Sequence, residues 1–190
     1  MPDAYAARSN ARTVPVSALT PKDYRGWLRK QSKPTTAWLK SLDFRPDLGK
    51  VALIPGRDGS LARVVLGLGA TPDLWAFAHL RERVPPGRYA YEDLAPEHAD
   101  GAALAWGLAS YRFTRYASKG DKHPPQLVWP AGTDRAAVKR AREAITMGRD
   151  LINTAQYTGA FVGRSDYAGC SGASGILEDR SGRYPGFERV

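Results

Sequence analysis

Residues 50–69 constrain the fold more than any other stretch. KVALIP (Lys50–Pro55) and LARVVLGLG (Leu61–Gly69) are two strand-forming runs. Between them lies GRDGS (Gly56–Ser60), made of residues that tolerate tight turns. The pattern predicts a β-hairpin with a five-residue loop. The second run is apolar on both faces at Val64, Val65 and Leu66, which predicts a central, buried strand. A hairpin makes two strands antiparallel, so a chain that contains it cannot build a purely parallel sheet.

Around the hairpin, strand and helix patterns alternate. VPVSAL (Val14–Leu19) reads as a first strand. Thr20 and Pro21 then read as N-cap and first helical residue, with Asp23 in the first turn and Tyr24, Trp27 and Leu28 on one face. A second helix is expected after Pro34, with Trp38, Leu39 and Leu42 as its stripe. TPDLWAFAHLRERV reads as a helix capped by Thr71, with Pro72 first in it and Leu74, Phe77, Ala78 and Arg81 to one side. A short strand over Arg88–Leu94 and a long helix over Glu97–Arg115 follow. Ala99, Ala102, Ala103, Trp106, Ala109 and Phe113 mark the buried face of that helix. After a loop at Ser118–Pro125, QLVWP is a short strand. Thr133 is then expected to cap a final helix on which Ala137, Ala141, Ala144, Ile145, Gly148, Leu151 and Ile152 recur at helical spacing. Such small residues predict close packing against a neighbour. Residues 1–13 are small and polar and are expected to fray. The fold class that follows is α/β, a three-layer α/β/α sandwich with a mixed sheet.

Composition narrows the function more by exclusion than by assignment. The chain is 43% hydrophobic and 25% charged, ordinary for a soluble globular protein. No run approaches the ~18 apolar residues of a membrane helix. The N-terminus lacks the apolar core of a secretory signal, so a cytoplasmic setting is expected. Cys170 is the single cysteine and sits in a Gly/Ser stretch, which excludes a disulfide framework and a cysteine zinc site. His79, His98 and His123 do not pair at metal-ligand spacing. Glu92, Asp93 and Asp179 lack carboxylate partners for acid–base work. No catalytic residue, metal ligand or cofactor is therefore expected in this chain. Gly67-Leu68-Gly69 is half of a dinucleotide fingerprint, but Pro72 holds the third glycine position, and a packing role is the commoner reading.

The net charge is +9, carried by residues 1–154 with 24 basic and 15 acidic side chains. Such a balance permits weak nucleic-acid binding, although solvated arginine faces are the commoner reading. The candidate contacts fall in two groups. Arg112, Arg115, Lys119 and Lys122 run from a helix end into a loop, with Tyr111 and Tyr116 interleaved. Arg135, Lys139, Arg142 and Arg149 form a stripe on the last helix, where a solvated or subunit-facing side is the alternative to phosphate contact. From Ala155 to Val190 the chain changes in kind. It has seven Gly and four Ser there and no helical or strand period, so a disordered tail is expected.

Three stretches carry a family resemblance: Leu42–Gly69 (LDFRPDLGKVALIPGRDGSLARVVLGLG), Ala103–Tyr116 (ALAWGLASYRFTRY) and Gly148–Thr154 (GRDLINT). Residues 14–154 resemble the N-terminal region of the leucyl aminopeptidase (cytosol aminopeptidase) family. The resemblance implies a flexible N-terminus (1–13), a macrodomain-like α/β domain (14–130), a linker helix (131–154) and an unrelated tail (155–190). It implies hexamers with the catalytic domains at the centre, and a hydrolase that removes N-terminal residues with two divalent metals, zinc or manganese. The family's ligands come from a Lys/Asp motif and an NTDAEGRL-type motif, and neither occurs in this sequence. The expectation is a non-catalytic fragment, truncated before the catalytic domain, with folding and subunit-contact roles. Its partners would be copies of itself or full-length aminopeptidase subunits. The alternatives are a weak DNA-binding module, as in some bacterial members, and a working aminopeptidase, which the ligand inventory opposes. The family continues from Asn-Thr into Pro-Ala, whereas here Ala155-Gln156-Tyr157 follows, as an out-of-frame tail would read.

Overall fold

In a computed structural model of the chain, residues 4–113 and 124–158 are described, the last four of them as helical backbone only. Two compact units separate, Met1–Asp150 and Leu151–Val190, and the packing below is that of the first. The elements are β1 (Tyr5–Ala6), β2 (Thr13–Leu19), α1 (Pro21–Arg29), α2 (Lys33–Ser41), β3 (Val51–Pro55) and β4 (Leu61–Gly67). They continue with α3 (Leu74–Arg83), β5 (Arg88–Glu92), α4 (Pro96–Ala109), β6 (Gln126–Val128) and α5 (Arg135–Thr158).

The strands form one sheet in the order β1-β6-β5-β2-β4-β3. Every neighbouring pair is parallel except β3 and β4, the hairpin, which pair antiparallel from Val51 opposite Leu66 to Pro55 opposite Leu61. The sheet is therefore mixed. Strand alternation sends successive side chains to opposite faces, and two cores result. Val16, Val64, Leu66, Tyr89 and Leu127 meet Ala76, Phe77 and Leu80 of α3, Ala102, Ala103 and Trp106 of α4, and Val138 of α5. On the other face Leu19, Ala52, Ile54 and Val65 meet Leu39 of α2, with Tyr24, Trp27 and Leu28 of α1 at the margin. Val64, Val65 and Leu66 are fully buried because β4 is an interior strand with helices on both sides.

Caps explain the helix boundaries. Thr20 and Ser32 accept from the amides of Asp23 and Thr35 and start α1 and α2. Asp73, not Thr71, caps α3 by accepting from the Ala76 amide at 2.9 Å, so Pro72 lies outside the helix. Asp134, not Thr133, caps α5, accepting from Ala136 and Ala137 at 3.0 Å. In both cases a carboxylate is available one or two residues on and is at least as good an N-cap. β5 stops at Glu92, short of Leu94, because Asp93 turns left-handed at φ 51°. α4 stops at Ala109, short of Arg115. Its last carbonyls find other donors: the Ser110 hydroxyl bonds Gly107 O at 2.6 Å, and Arg149 bonds Leu108 O at 3.1 Å. α5 runs past Thr154 to Thr158, since Ala155 and Gln156 are good helix formers.

The N-terminal segment corrects another expectation. Ala4, Tyr5 and Ala6 are buried, and β1 is an edge strand beside β6. Tyr5 stacks on Trp129 with ring centroids 4.0 Å apart and donates its hydroxyl to Ala103 O at 2.9 Å. A two-residue strand leaves no period to read, so one tyrosine among small residues carries the whole signal. The rest of the expected tail, with Cys170, lies outside the described residues.

Tyr89 supplies a pH test of this core. Burial pushes its hydroxyl up to about 12, from an ordinary value of 10.0, and it donates to Pro85 O at 2.7 Å. A raised folded pKa means the native state holds its proton longer than the unfolded chain. The stabilisation is therefore full below pH 10 and lost as pH rises toward 12. The denaturation midpoint should fall over that window, with tyrosinate absorbance lagging that of free tyrosine. Flat stability from pH 9 to 12 would contradict the burial.

Candidate functional site

The last helix is where chemistry-bearing residues gather, and the structure rearranges the expected stripe. Arg135, Arg142 and Arg149 recur every seven residues, two helical turns, and so share one side of α5. Each guanidinium stacks on an aromatic ring: Arg135 over Trp129 at 5.6 Å, Arg142 over Tyr5 at 5.7 Å, Arg149 over Tyr111 at 5.4 Å. Arg142 also lies 3.5 Å from the Ser110 hydroxyl, and Tyr111 donates to Asp150 at 2.8 Å. With Arg149 on Leu108 O, these cations sit where the α4 dipole is negative. Arg142 and Arg149 are half-buried and turned toward the domain, so they hold the helix on it instead of facing solvent. Gly107 makes the close approach workable, since a Cβ there would stand 2.2 Å from the Tyr5 hydroxyl and 2.9 Å from Arg142 Cδ.

Of the other basic candidates, Lys139 is exposed on α5, and Arg112 is exposed just beyond α4 and engaged in contacts of its own. Arg115, Lys119 and Lys122 lie outside the described residues, as does His123. The structure thus brings Arg135, Arg142 and Arg149 to one seam without gathering the two basic groups into one described patch.

The apolar stripe of α5 lies beside the arginine seam and is left open. Ala144 and Ile145 are exposed, as are Leu151 and Ile152 further along, and a Cβ added at Gly148 would meet nothing within 4 Å. Met147 is exposed on another side of the helix. Exposed small and apolar side chains on one helix face are the kind of surface that protein contacts cover.

Other candidates resolve into structure. All three amides of Gly67-Leu68-Gly69 are used, bonding Lys50 O, Leu19 O and Pro46 O at 2.7, 2.9 and 3.0 Å. None remains to cradle a phosphate, and a Cβ at Gly67 would stand 2.3 Å from Asp47 O. His79 packs against Gly49, and the His98 ring lies 5.9 Å from Phe77. Among the described residues no three His, Cys, Asp or Glu side chains converge, so these residues do not fit a two-metal centre. Among them, too, no helix is long and apolar enough to cross a membrane.

Comparisons with known proteins bear on the fold as a whole. The family model described as M17 aminopeptidase, N-terminal domain, matches residues 14–130. The crystal structure of a cytosol aminopeptidase from Coxiella burnetii is 30% identical, with a TM-score of 0.67, over 79% of this chain and 33% of that one. The bottromycin maturation enzyme BotP in complex with Mn shares the fold at 24% identity and a TM-score of 0.54, over 75% of this chain and 32% of that one. A mutant of tomato leucine aminopeptidase does so at 15% identity and a TM-score of 0.50, over 77% and 36%. The chain thus spans about a third of the length of these structures. No curated protein matches it.

Proposed function

Because the chain belongs to the M17 aminopeptidase family and carries its N-terminal domain over residues 14–130, we propose that it is a non-catalytic part of such a peptidase, with folding and subunit contact as its work. The observation that carries this reading is the open small-residue stripe of α5. Ala144, Ile145 and Gly148 offer a surface on which a second body can pack closely, and the arginine seam sets the helix so that this surface points away from the domain core. A partner of the same family, or a second copy, is the occupant the family reading calls for. Two divalent metals would supply a polarised carbonyl and a hydroxide nucleophile in a family member. The described residues hold no donor set for them. The cytosol aminopeptidase among the similar structures supports a cytoplasmic setting.

Two measurements test this. The chain alone, repurified, should give no hydrolysis of leucyl anilides with added manganese or zinc. A chimera in which residues 1–154 replace the N-terminal third of the Coxiella enzyme should assemble and hydrolyse the same anilide. Ile145→Asp should block that assembly while leaving the melting temperature of the chain itself unchanged. Metal-dependent turnover by the chain, or a chimera indifferent to Ile145→Asp, would overturn the reading.

A further inference from the structure

β3 closes one end of the sheet, with β4 as its neighbour on one side and an open edge on the other. The opposite end of the sheet is the two-residue β1, so β3 is the longer edge strand. In an extended strand the N–H and C=O of one residue point the same way, and successive residues alternate. Lys50 O accepts from Gly67 N, so Lys50, Ala52 and Ile54 turn their backbone groups toward β4. Val51, Leu53 and Pro55 therefore turn theirs outward. Leu53 O has the same phase: its donor is the indole N–H of Trp38 on α2, at 2.9 Å.

Such an outward row is a template for another strand, and folded proteins blunt it with charge, proline or a cover. VALIP carries no charge, and its middle side chain, Leu53, is exposed. Pro55 has no N–H to offer, which blunts one end of the row. At the centre the cover is Trp38. Its place is fixed from behind, because Leu39, the next residue on α2, is buried with Ala52, Ile54 and Val65. The indole N–H thus occupies the acceptor at the middle of the edge.

The row is complementary to a second copy of itself. Its three residues are centred on Leu53, and a two-fold axis there sets Leu53 opposite its own copy and Val51 opposite Pro55. In that antiparallel register each Leu53 N–H meets the copy's Leu53 O, and each Val51 N–H meets the copy's Pro55 O. Proline withholds one donor per chain, and the remaining donors all find acceptors. Leu53 O, the acceptor at the axis, is the one that Trp38 holds. We propose that Trp38 guards β3 against antiparallel pairing with a second copy of this chain, and that β3 pairs once the indole is removed.

The proposal does not depend on the role assigned to α5. It is tested on the full chain carrying Ile145→Asp, so that contact through α5 is not what is read. By sedimentation velocity, Trp38→Ala should self-associate at least about tenfold more tightly than this parent, a difference of about 1.4 kcal/mol. Trp38→Phe keeps an apolar cover without an N–H and should fall between the two. Trp38→Ala with Leu53→Pro should return to the parent's level, since proline there removes the outward donor and no bond to β4. Trp38→Ala with Leu53→Ala keeps that donor and should still associate, which separates edge pairing from the sticking of apolar side chains. In the parent, the Leu53 amide should exchange its hydrogen faster than Ala52 and Ile54, and it should slow in associated Trp38→Ala. Protection of Leu53 equal to that of Ala52 in the parent, no added association in Trp38→Ala, or association that survives Leu53→Pro would each overturn the proposal.

Discussion

Trp106→Ala is expected to cost about 3–5 kcal/mol, the range for removing a large aromatic from a packed core. Trp106 is fully buried on α4 and belongs to three interactions at once. Its indole N–H donates to Ala4 O at 2.9 Å, its ring lies 6.0 Å from Tyr89, and Arg81 stacks on it at 5.4 Å. The variant loses dispersion contacts, leaves a cavity beneath α4 and loosens β1, whose Ala4 carbonyl loses one of its two donors among the described residues and keeps the Leu127 amide. Against a typical domain stability of about 5–15 kcal/mol, this leaves a marginal fold. Urea unfolding of the variant and of Trp106→Phe measures it. The phenylalanine variant should fall between the other two, and hydrogen exchange at Leu127 should rise most in the alanine variant. A loss below about 1 kcal/mol would mean that the indole is not the keystone described.

Gly67→Val should be the most damaging change on the sheet. A Cβ at Gly67 would lie 2.3 Å from Asp47 O and 2.6 Å from Pro46 C, both main-chain atoms that cannot rotate away. Gly67 also gives its amide to Lys50 O and accepts from Gly49 N, so moving residues 46–50 strains two bonds of the hairpin end. Overpacking usually costs about 1–3 kcal/mol, and a backbone clash belongs at or above the top of that range. Gly148→Ala is the matched control. It has open space around it on α5, so it should stabilise the chain by up to about 1 kcal/mol through helix propensity. Thermal unfolding of the pair should show opposite signs. The same sign in both would remove the close approach as the reason for Gly67.

Much of the first layer of this structure was legible in the residues. The hairpin was, because Val64-Val65-Leu66 can be apolar on both faces only in an interior strand, and β4 is one. The start of α1 was, because Thr20, Pro21 and Asp23 make a local cap that no distant contact needs to complete. Where two caps competed, at Thr71 against Asp73 and Thr133 against Asp134, spacing alone could not choose, and the carboxylate prevailed. β1 was hidden because its stability is borrowed from Trp129, Ala103 and β6, all about a hundred residues away.

The candidate sites divide along the same line. That Arg135, Arg142 and Arg149 share a side of the helix follows from their spacing of seven. Which way that side faces does not, since a periodicity has a phase but no partner. Only the placement of Tyr5, Tyr111 and Trp129 turned the seam inward and left Ala144, Ile145 and Gly148 open. Lys30, Arg63 and Asp93 come to line one groove beside α1 only because β5 lies next to β2, and no local signal foretells it. By itself the sequence determined the strand–helix order from β2 onward, the mixed sheet and the cap of α1, all set by backbone preferences and contacts a few residues apart. The tertiary structure alone decided which polar side chains face the domain, which face solvent and which share a cavity. Those choices rest on contacts between distant residues, whose closure entropy is repaid only when the sheet assembles.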